Sequence, residues 1–145
     1  MKKRLFTGAG VAIVTPMHAD GTVNYVKLGE LIDMQINGGT DAIIICGTTG
    51  ESATLTHEEH TEVIRFAIEH TNRRVPVIAG TGSNDTQFAS LLSEQAEEMG
   101  ADGLLMVTPY YNKTSQRGLV AHFNTVADRV HIPVSYTHLT LPTKA

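Results

Sequence analysis

A short loop rich in glycine and threonine offers the clearest chemistry in this sequence. Residues 42–55 read AIIICGTTGESATL, and the central GTTGE carries the hydroxyls of Thr48 and Thr49 between Gly47 and Gly50. Glycine lets the backbone approach a ligand closely, and threonine adds hydroxyl donors. The loop is therefore a candidate site for a small anion. The alternative is an ordinary turn whose threonines serve only as helix caps.

The residues on either side of this loop predict a buried strand and a helix. Residues 42–46 form an apolar run without alternation, which is typical of a strand buried on both faces. The sequence THEE at 56–59 is a capping box, with Thr56 as the N-cap of the next helix. We expect the loop to lie at the amino end of that helix, where free N–H groups and the helix dipole favour an anion.

The same alternation of strand and helix runs through most of the chain. The pattern predicts strands at 10–15, 42–46, 75–79 and 104–107, a fifth strand from Ile132, and helices at 25–37, after Thr56, at 86–99 and at 116–130. Asn24 is the predicted N-cap of the first helix. Repeated βα units imply an α/β fold with a parallel sheet.

Two α/β architectures fit this pattern, a doubly wound open sheet and a (β/α)₈ TIM barrel. The GxGxxG fingerprint of the doubly wound dinucleotide-binding fold is missing after the first strand, and Gly80-Thr81-Gly82 is only a fragment of it. The loops after the strands, TPMHADG, GTTGE, GTGSN and TPYYN, are rich in hydroxyl groups, glycine and proline. Because a barrel places its reactive residues in these loops, we predict a barrel with about four and a half βα units in this chain.

Composition narrows the function classes. The 145 residues suffice for one core, and a net charge of −4 with a pI near 5.9 does not favour nucleic acid or an anionic membrane. The one cysteine, Cys46, lies in an apolar strand and excludes a disulfide framework. No run approaches membrane-spanning length, so we expect a cytoplasmic protein. No cofactor is predicted.

Four segments resemble the dihydrodipicolinate synthase family of Schiff-base pyruvate aldolases: GVAIVTP, GTTGESATL, VPVIAGTGSN and VTPYYNK. The resemblance runs from about Phe6 to Val134. It implies a (β/α)₈ barrel in which pyruvate forms a Schiff base with a lysine and then adds to a small aldehyde, aspartate semialdehyde, in lysine and diaminopimelate biosynthesis. Another pyruvate aldolase, such as N-acetylneuraminate lyase, and a non-catalytic half-barrel remain as alternatives.

The resemblance also implies roles for individual residues. Thr48 and Thr49 would bind the pyruvate carboxylate, and Thr48 would join a hydroxyl relay that moves protons. Tyr111 resembles the tyrosine that the neighbouring subunit of a tight dimer inserts into that relay, in a homo-oligomer that is a tetramer built from two such dimers. The alternative for Tyr110 and Tyr111 is a pair of interface aromatics.

A lysine effector site is implied at positions that match Ser52, Ala53, His57, His60, Asn84 and Tyr110. Lysine-sensitive members of the family have a glutamate where this chain has Phe88, which argues against feedback inhibition. Asn84 alternatively serves as a turn or cap residue. His57 and His60 are three residues apart, whereas HExxH zinc sites need a spacing of four, so no metal is predicted.

No lysine in this sequence is placed to form the Schiff base, so we predict that the Schiff-base lysine is missing from it. Such a lysine needs a desolvated pocket to lose its proton, but Lys113 lies in the polar segment NKTSQR. The remaining lysines, Lys2, Lys3, Lys27 and Lys144, do not lie on an apolar strand either.

The sequence departs from the family after Val134. Thr137 occupies the place of a catalytic tyrosine, and Tyr136 is one position early, which turns a strand side chain to the opposite face. Residues 135–145, SYTHLTLPTKA, resemble a translated sequencing-adaptor read-through. We therefore predict residues 1–134 as the amino-terminal part of a barrel and residues 135–145 as a foreign tail. The alternative is a short protein with a diverged tail.

Overall fold

The computed structural model describes residues 5–137, which form a five-stranded parallel sheet with four α-helices. The elements in chain order are β1 (Gly10–Ala12), α1 (Tyr25–Asn37), β2 (Ala42–Ile45), α2 (His57–Thr71), β3 (Val77–Gly80), α3 (Thr86–Glu98), β4 (Gly103–Val107), α4 (Gln116–Ala127) and β5 (Val134–Thr137). The strands lie side by side in sequence order, and each neighbouring pair is parallel. This order is that of consecutive units of a barrel, since a doubly wound sheet reverses its strand order.

Local capping signals explain where the first two helices begin. The side chain of Asn24 accepts a hydrogen bond from the N–H of Lys27, as predicted. At α2, the Thr56 hydroxyl accepts from the N–H of Glu59, and the Glu59 carboxylate accepts from the N–H of Thr56. The predicted capping box is confirmed, because both reciprocal bonds are present.

Several element boundaries differ from the prediction. β1 ends at Ala12, although the N–H of Ile13 still donates to the carbonyl of Ile44 at 3.1 Å. β3 begins at Val77, after Pro76, which has no N–H to donate. Two 3₁₀ turns, Thr48–Gly50 and Ser52–Thr54, separate β2 from α2 and were not predicted. α4 ends at Ala127, three residues earlier than its apolar pattern indicated.

The core lies between the sheet and the helices. Its largest buried side chains come from both the helices and the sheet: Leu28 and Ile32 on α1, Ile43 and Ile45 on β2, Ile64 on α2, Leu92 on α3, and Leu104 and Met106 on β4. The predicted two-sided burial of β2 is confirmed, since only Ile44 is partly exposed. Because the strands are parallel, their carboxyl ends all lie at the same end of the sheet.

The described sheet has two open edges. Within residues 5–137, β1 pairs only with β2, and β5 pairs only with β4. The ring of Tyr136 packs against Phe123 of α4 with centroids 4.6 Å apart, and so faces the helix layer. Residues 138–145, Lys2 and Lys3 lie outside the described residues. No helix in the described part of the chain has both the length and the apolar composition needed to cross a membrane.

Candidate functional site

A cavity of about 580 Å³ opens where the strands end. Its lining combines inward residues of the sheet with the loops that follow β2, β3 and β4: Ala12, Cys46, Gly47, Thr48, Thr49, Glu51, Ser52, Ala53, Gly80, Gly82, Leu105, Val107, Thr108 and Tyr110. Apolar walls with a few polar groups from several loops are typical of a small-molecule site.

Thr48 and Thr49 lie exposed at the rim of this cavity. They open a 3₁₀ turn in which the N–H of Gly50 donates to the carbonyl of Gly47 at 3.0 Å. The first N–H groups of such a turn have no acceptor within it, so they are available together with the hydroxyls. The expectation that the loop lies at the amino end of α2 is wrong, because the second 3₁₀ turn separates the loop from that helix.

One hydrogen bond and one backbone conformation fix this turn. The Thr15 hydroxyl donates to the carbonyl of Gly50 at 2.7 Å, which ties the chain beyond β1 to the loop. Cys46 has a φ of 55°, a left-handed conformation that is uncommon for a non-glycine residue. It turns the chain out of β2 immediately before Gly47. The left-handed conformation of Cys46 is not predictable from the sequence, since cysteine has no preference for it.

Burial makes Cys46 unreactive. Its side chain is buried, and burial raises the pKa of the thiol to about 12. The thiolate is the nucleophilic form of cysteine, so this residue does not serve as a nucleophile near neutral pH. The predicted buried thiol is confirmed.

His60 lies behind the cavity wall. Its ring is buried, and its Nε2 lies 2.8 Å from the carbonyl oxygen of Gly80. Burial lowers the pKa of His60, the hydrogen bond to Gly80 acts in the opposite direction, and the charge of His57 lowers the pKa further. The imidazole is therefore held in its neutral form.

The other residues of the predicted effector site spread from the cavity rim to α3. Ser52, Ala53 and Tyr110 line the cavity, and the amide of Asn84 donates to the carbonyl of Tyr110 at 3.2 Å. The ring of His57 packs edge-on against Phe88. The alternative in which Asn84 caps the third helix is wrong, because the Asp85 carboxylate accepts from the first N–H groups of α3 instead.

Tyr111 points away from the protein. Its side chain is fully exposed (102%), and its φ of 69° is again left-handed. The neighbouring Tyr110 reaches the cavity wall, but Tyr111 does not contribute to it. Such a φ is uncommon for a bulky residue.

The two lysines among residues 5–137 lie in polar surroundings. Lys113 is exposed in the loop before α4, and Lys27 on α1 bonds Glu30 at 2.7 Å. Neither lies on a strand or lines the cavity. The residues that the structure describes also contain no group of three or more histidine, cysteine or carboxylate side chains placed to hold a metal ion.

Comparison with known proteins agrees with this architecture. The family model described as the dihydrodipicolinate synthetase family matches residues 5–136. A protein of Lachnoclostridium phytofermentans named 4-hydroxy-tetrahydrodipicolinate synthase is 67% identical over 130 residues, which cover 90% of this chain and 44% of that protein. The chain thus spans less than half the length of such relatives.

Solved structures show the same likeness. Dihydrodipicolinate synthase from Aquifex aeolicus superposes with a TM-score of 0.88 at 54% identity, covering 90% of this chain and 44% of its own. The chloride-inhibited dihydrodipicolinate synthase from Acinetobacter baumannii, solved as a complex with pyruvate, gives a TM-score of 0.87 at 48% identity, with coverages of 89% and 44%. The predicted barrel fold is confirmed by these likenesses.

Proposed function

The chain belongs to the dihydrodipicolinate synthetase family, and from this we propose that it is the amino-terminal part of a lyase that condenses pyruvate with aspartate 4-semialdehyde. The observation that carries the proposal is the position of Thr48 and Thr49. Both hydroxyls lie at the rim of the cavity where the strands end, in a chain whose relatives include a synthase solved with pyruvate. The relatives are named 4-hydroxy-tetrahydrodipicolinate synthase, and in this proposal the activity belongs to the longer protein.

The pyruvate carboxylate fits the turn that Thr48 opens. Hydroxyl donors and unpaired backbone N–H groups stabilise a carboxylate, and a cavity of about 580 Å³ holds a molecule of this size. In the proposed reaction, Thr48 also passes a proton during formation of the imine between the pyruvate carbonyl and a lysine amine. Water leaves in that step. The methyl group of the bound pyruvate then loses a proton, and the enamine formed in this way attacks the aldehyde carbon.

Tyr111 acts in the active site of a neighbouring subunit in this proposal. Its exposure and left-handed backbone support a role outside its own chain. The phenol extends the hydroxyl relay of the neighbour, which makes the active enzyme a homo-oligomer, with a tetramer built from two tight dimers as the expected form. Localisation in the cytoplasm is part of the same proposal, as is an effector pocket around Ser52, Ala53, His57, His60, Asn84 and Tyr110.

The Schiff-base lysine comes from outside the described residues. Lys27 and Lys113 are both solvated, and a solvated ammonium stays protonated and is a poor nucleophile near neutral pH. The second candidate is that the chain by itself is a non-catalytic half-barrel. The edges at β1 and β5, which are open within residues 5–137, favour this description of the isolated fragment.

The decisive experiment uses a completed chain. Residues 1–134 are joined to the corresponding carboxyl-terminal part of the Lachnoclostridium phytofermentans synthase, which is 67% identical over the shared region. Incubation with pyruvate and borohydride should leave a stable mass increase, and aspartate 4-semialdehyde should be consumed with pyruvate. A folded completed chain that neither traps pyruvate nor consumes the aldehyde would rule out the proposal.

A further inference from the structure

His60 holds the backbone of β3 from the side of α2. Its side chain is 6% exposed, and Nε2 lies 2.8 Å from the Gly80 carbonyl oxygen. A carbonyl only accepts, so Nε2 carries the proton and donates. Because the pair is buried, water does not compete for this bond. The imidazole thus fixes the last carbonyl of β3.

Gly80 in turn contacts the peptide that leads into the threonine turn. A Cβ at Gly80 would stand 2.2 Å from the Cys46 carbonyl oxygen and 2.7 Å from the Gly47 nitrogen. The backbones of the two strands therefore touch where β2 and β3 end, and no side chain fits between them. A shift of the Gly80 backbone would also displace the Cys46–Gly47 peptide, because close-packed atoms do not move independently.

Cys46 is the residue that needs this support. Its φ of 55° is a left-handed conformation, which persists in a buried non-glycine residue only where the surroundings hold it. Its thiol also approaches the carbonyl oxygen of His60 at 3.9 Å. α2 therefore reaches Cys46 both directly and through Gly80, and the next residues after this peptide are Thr48 and Thr49.

We propose that His60 is a positioning residue for the carboxylate site formed by Thr48 and Thr49. It acts through Gly80, which fixes the Cys46–Gly47 peptide and thereby the direction in which the two threonines leave β2. The substrate part of this inference rests on the proposed function, whereas the chain of contacts does not. The role also differs from direct binding of an effector, because it acts through Nε2, which is bonded to the protein backbone, whereas an effector would contact the other ring nitrogen.

Three variants of the completed chain test the proposal. In His60→Gln the amide nitrogen can take the place of Nε2, in His60→Asn it falls short by one methylene, and His60→Met fills the space without a donor. We expect the KM for pyruvate to rise about tenfold in His60→Asn and His60→Met, with kcat within about threefold, while His60→Gln stays within about threefold in both.

A second readout does not depend on catalysis. With ¹⁵N-labelled glycine and threonine, the amide signals of Gly47, Thr48 and Thr49 should shift in His60→Asn and His60→Met and stay near their original positions in His60→Gln. If the unmodified completed chain traps no pyruvate, the proposed function fails and these signals alone decide the positioning role. If His60→Met does not fold, the comparison of His60→Asn with His60→Gln decides.

Three results would overturn the proposal. The first is unchanged amide signals and pyruvate KM in folded His60→Asn. The second is an equal loss in His60→Gln and His60→Asn, which would show that the donor is not what matters. The third is a change confined to the melting temperature or to inhibition by lysine, which would assign His60 a purely structural or an effector-binding role.

Discussion

The ring of Phe88 lies edge-on to the imidazole of His57, with centroids 5.4 Å apart and planes at 64°. This contact joins the first turns of α2 and α3 beside the cavity. The resemblance to lysine-sensitive members of the family places a glutamate at the position of Phe88. In this chain an apolar ring occupies that position, and the Nδ1 atom of His57 is buried without a hydrogen-bond partner among the described residues.

We expect lysine to inhibit the completed chain weakly or not at all. Phe88 cannot form the charged hydrogen bond that a carboxylate would make to the amine of the effector, a bond worth roughly 1.5–3 kcal/mol. Phe88→Glu should therefore lower the half-inhibitory lysine concentration about tenfold or more. Leu91→Glu, at an exposed position on the same helix, is the control and should have little effect. Inhibition of the unmodified protein by micromolar lysine would show that Phe88 does not decide sensitivity.

The local signals in the sequence predicted the fold well because they act over a few residues. Asn24 and Thr56 cap α1 and α2 through bonds to residues three positions away, and both are visible in the sequence as capping patterns. The order of strands followed from the spacing of the βα units, and the polar, glycine-rich loops after the strands favoured the barrel, in agreement with the resemblance.

The details of the site depend instead on contacts between distant residues. The left-handed Cys46 is matched to Gly80 on the neighbouring strand, and neither residue type predicts the other. The His60 bond to Gly80 likewise joins residues that are 20 positions apart. The one local hint was the GTG sequence after the third strand, since a glycine at the end of a strand marks a close approach of backbone.

Removal of the Thr48 hydroxyl should lower the rate of the condensation strongly. In the completed chain, Thr48→Val keeps the shape of the side chain but removes both a carboxylate donor and a member of the proton relay. We expect the condensation rate to fall about a hundred-fold or more. Thr125→Val, at an exposed position on α4, is the matched control. A rate close to that of the unmodified chain in Thr48→Val would contradict the assigned role.

The stability of the completed chain should fall on mild acidification partly because of His60. Burial lowers its pKa in the folded state, so the unfolded chain binds the proton more readily. The contribution of neutral His60 to the free energy of unfolding is complete above the ordinary histidine pKa of about 6.5. It is lost as the pH falls from that value to the pKa that His60 has in the folded protein. His122, whose pKa burial also lowers, adds to the same trend.

Thermal melts between about pH 7.5 and 5.5 check this expectation. The melting temperature of His60→Gln should depend less on pH than that of the unmodified protein, because glutamine does not titrate. His18→Gln, which changes an exposed histidine in the loop before α1, serves as the control. An identical pH dependence in all three proteins would show that His60 is not buried in its neutral form.

The chain of 145 residues by itself should trap no pyruvate. Lys113 lies exposed in a polar loop, and Lys27 pairs with Glu30 in solvent, so neither amine is desolvated. Borohydride reduction in the presence of pyruvate, followed by peptide mass mapping, should show no adduct under conditions in which the completed chain is labelled. A stoichiometric adduct on Lys113 would overturn its rejection as the Schiff-base residue.

The isolated chain should also not persist as a stable monomer. Within residues 5–137, β1 and β5 each have one strand neighbour, and the other side of each presents unpaired backbone groups. Val14 and Tyr136 add apolar surface close to these edges, since each is 48% exposed. An open edge with apolar side chains pairs with strands of other molecules, whereas a closed barrel has no open edge. We expect insolubility, or a dimer or larger species on a sizing column with light scattering.

A charge placed on an edge strand distinguishes association through the open sheet edge from nonspecific association of apolar surface. Ala12→Lys puts an ammonium on the exposed strand β1 and should shift the population toward smaller species, because lysine on an edge opposes strand addition. Val26→Lys introduces the same charge on the surface of α1, where Val26 is 77% exposed, and should leave the assembly unchanged. A monodisperse monomer with a cooperative melt before any substitution would refute the expectation, and an equal effect of both lysines would show that association does not run through β1.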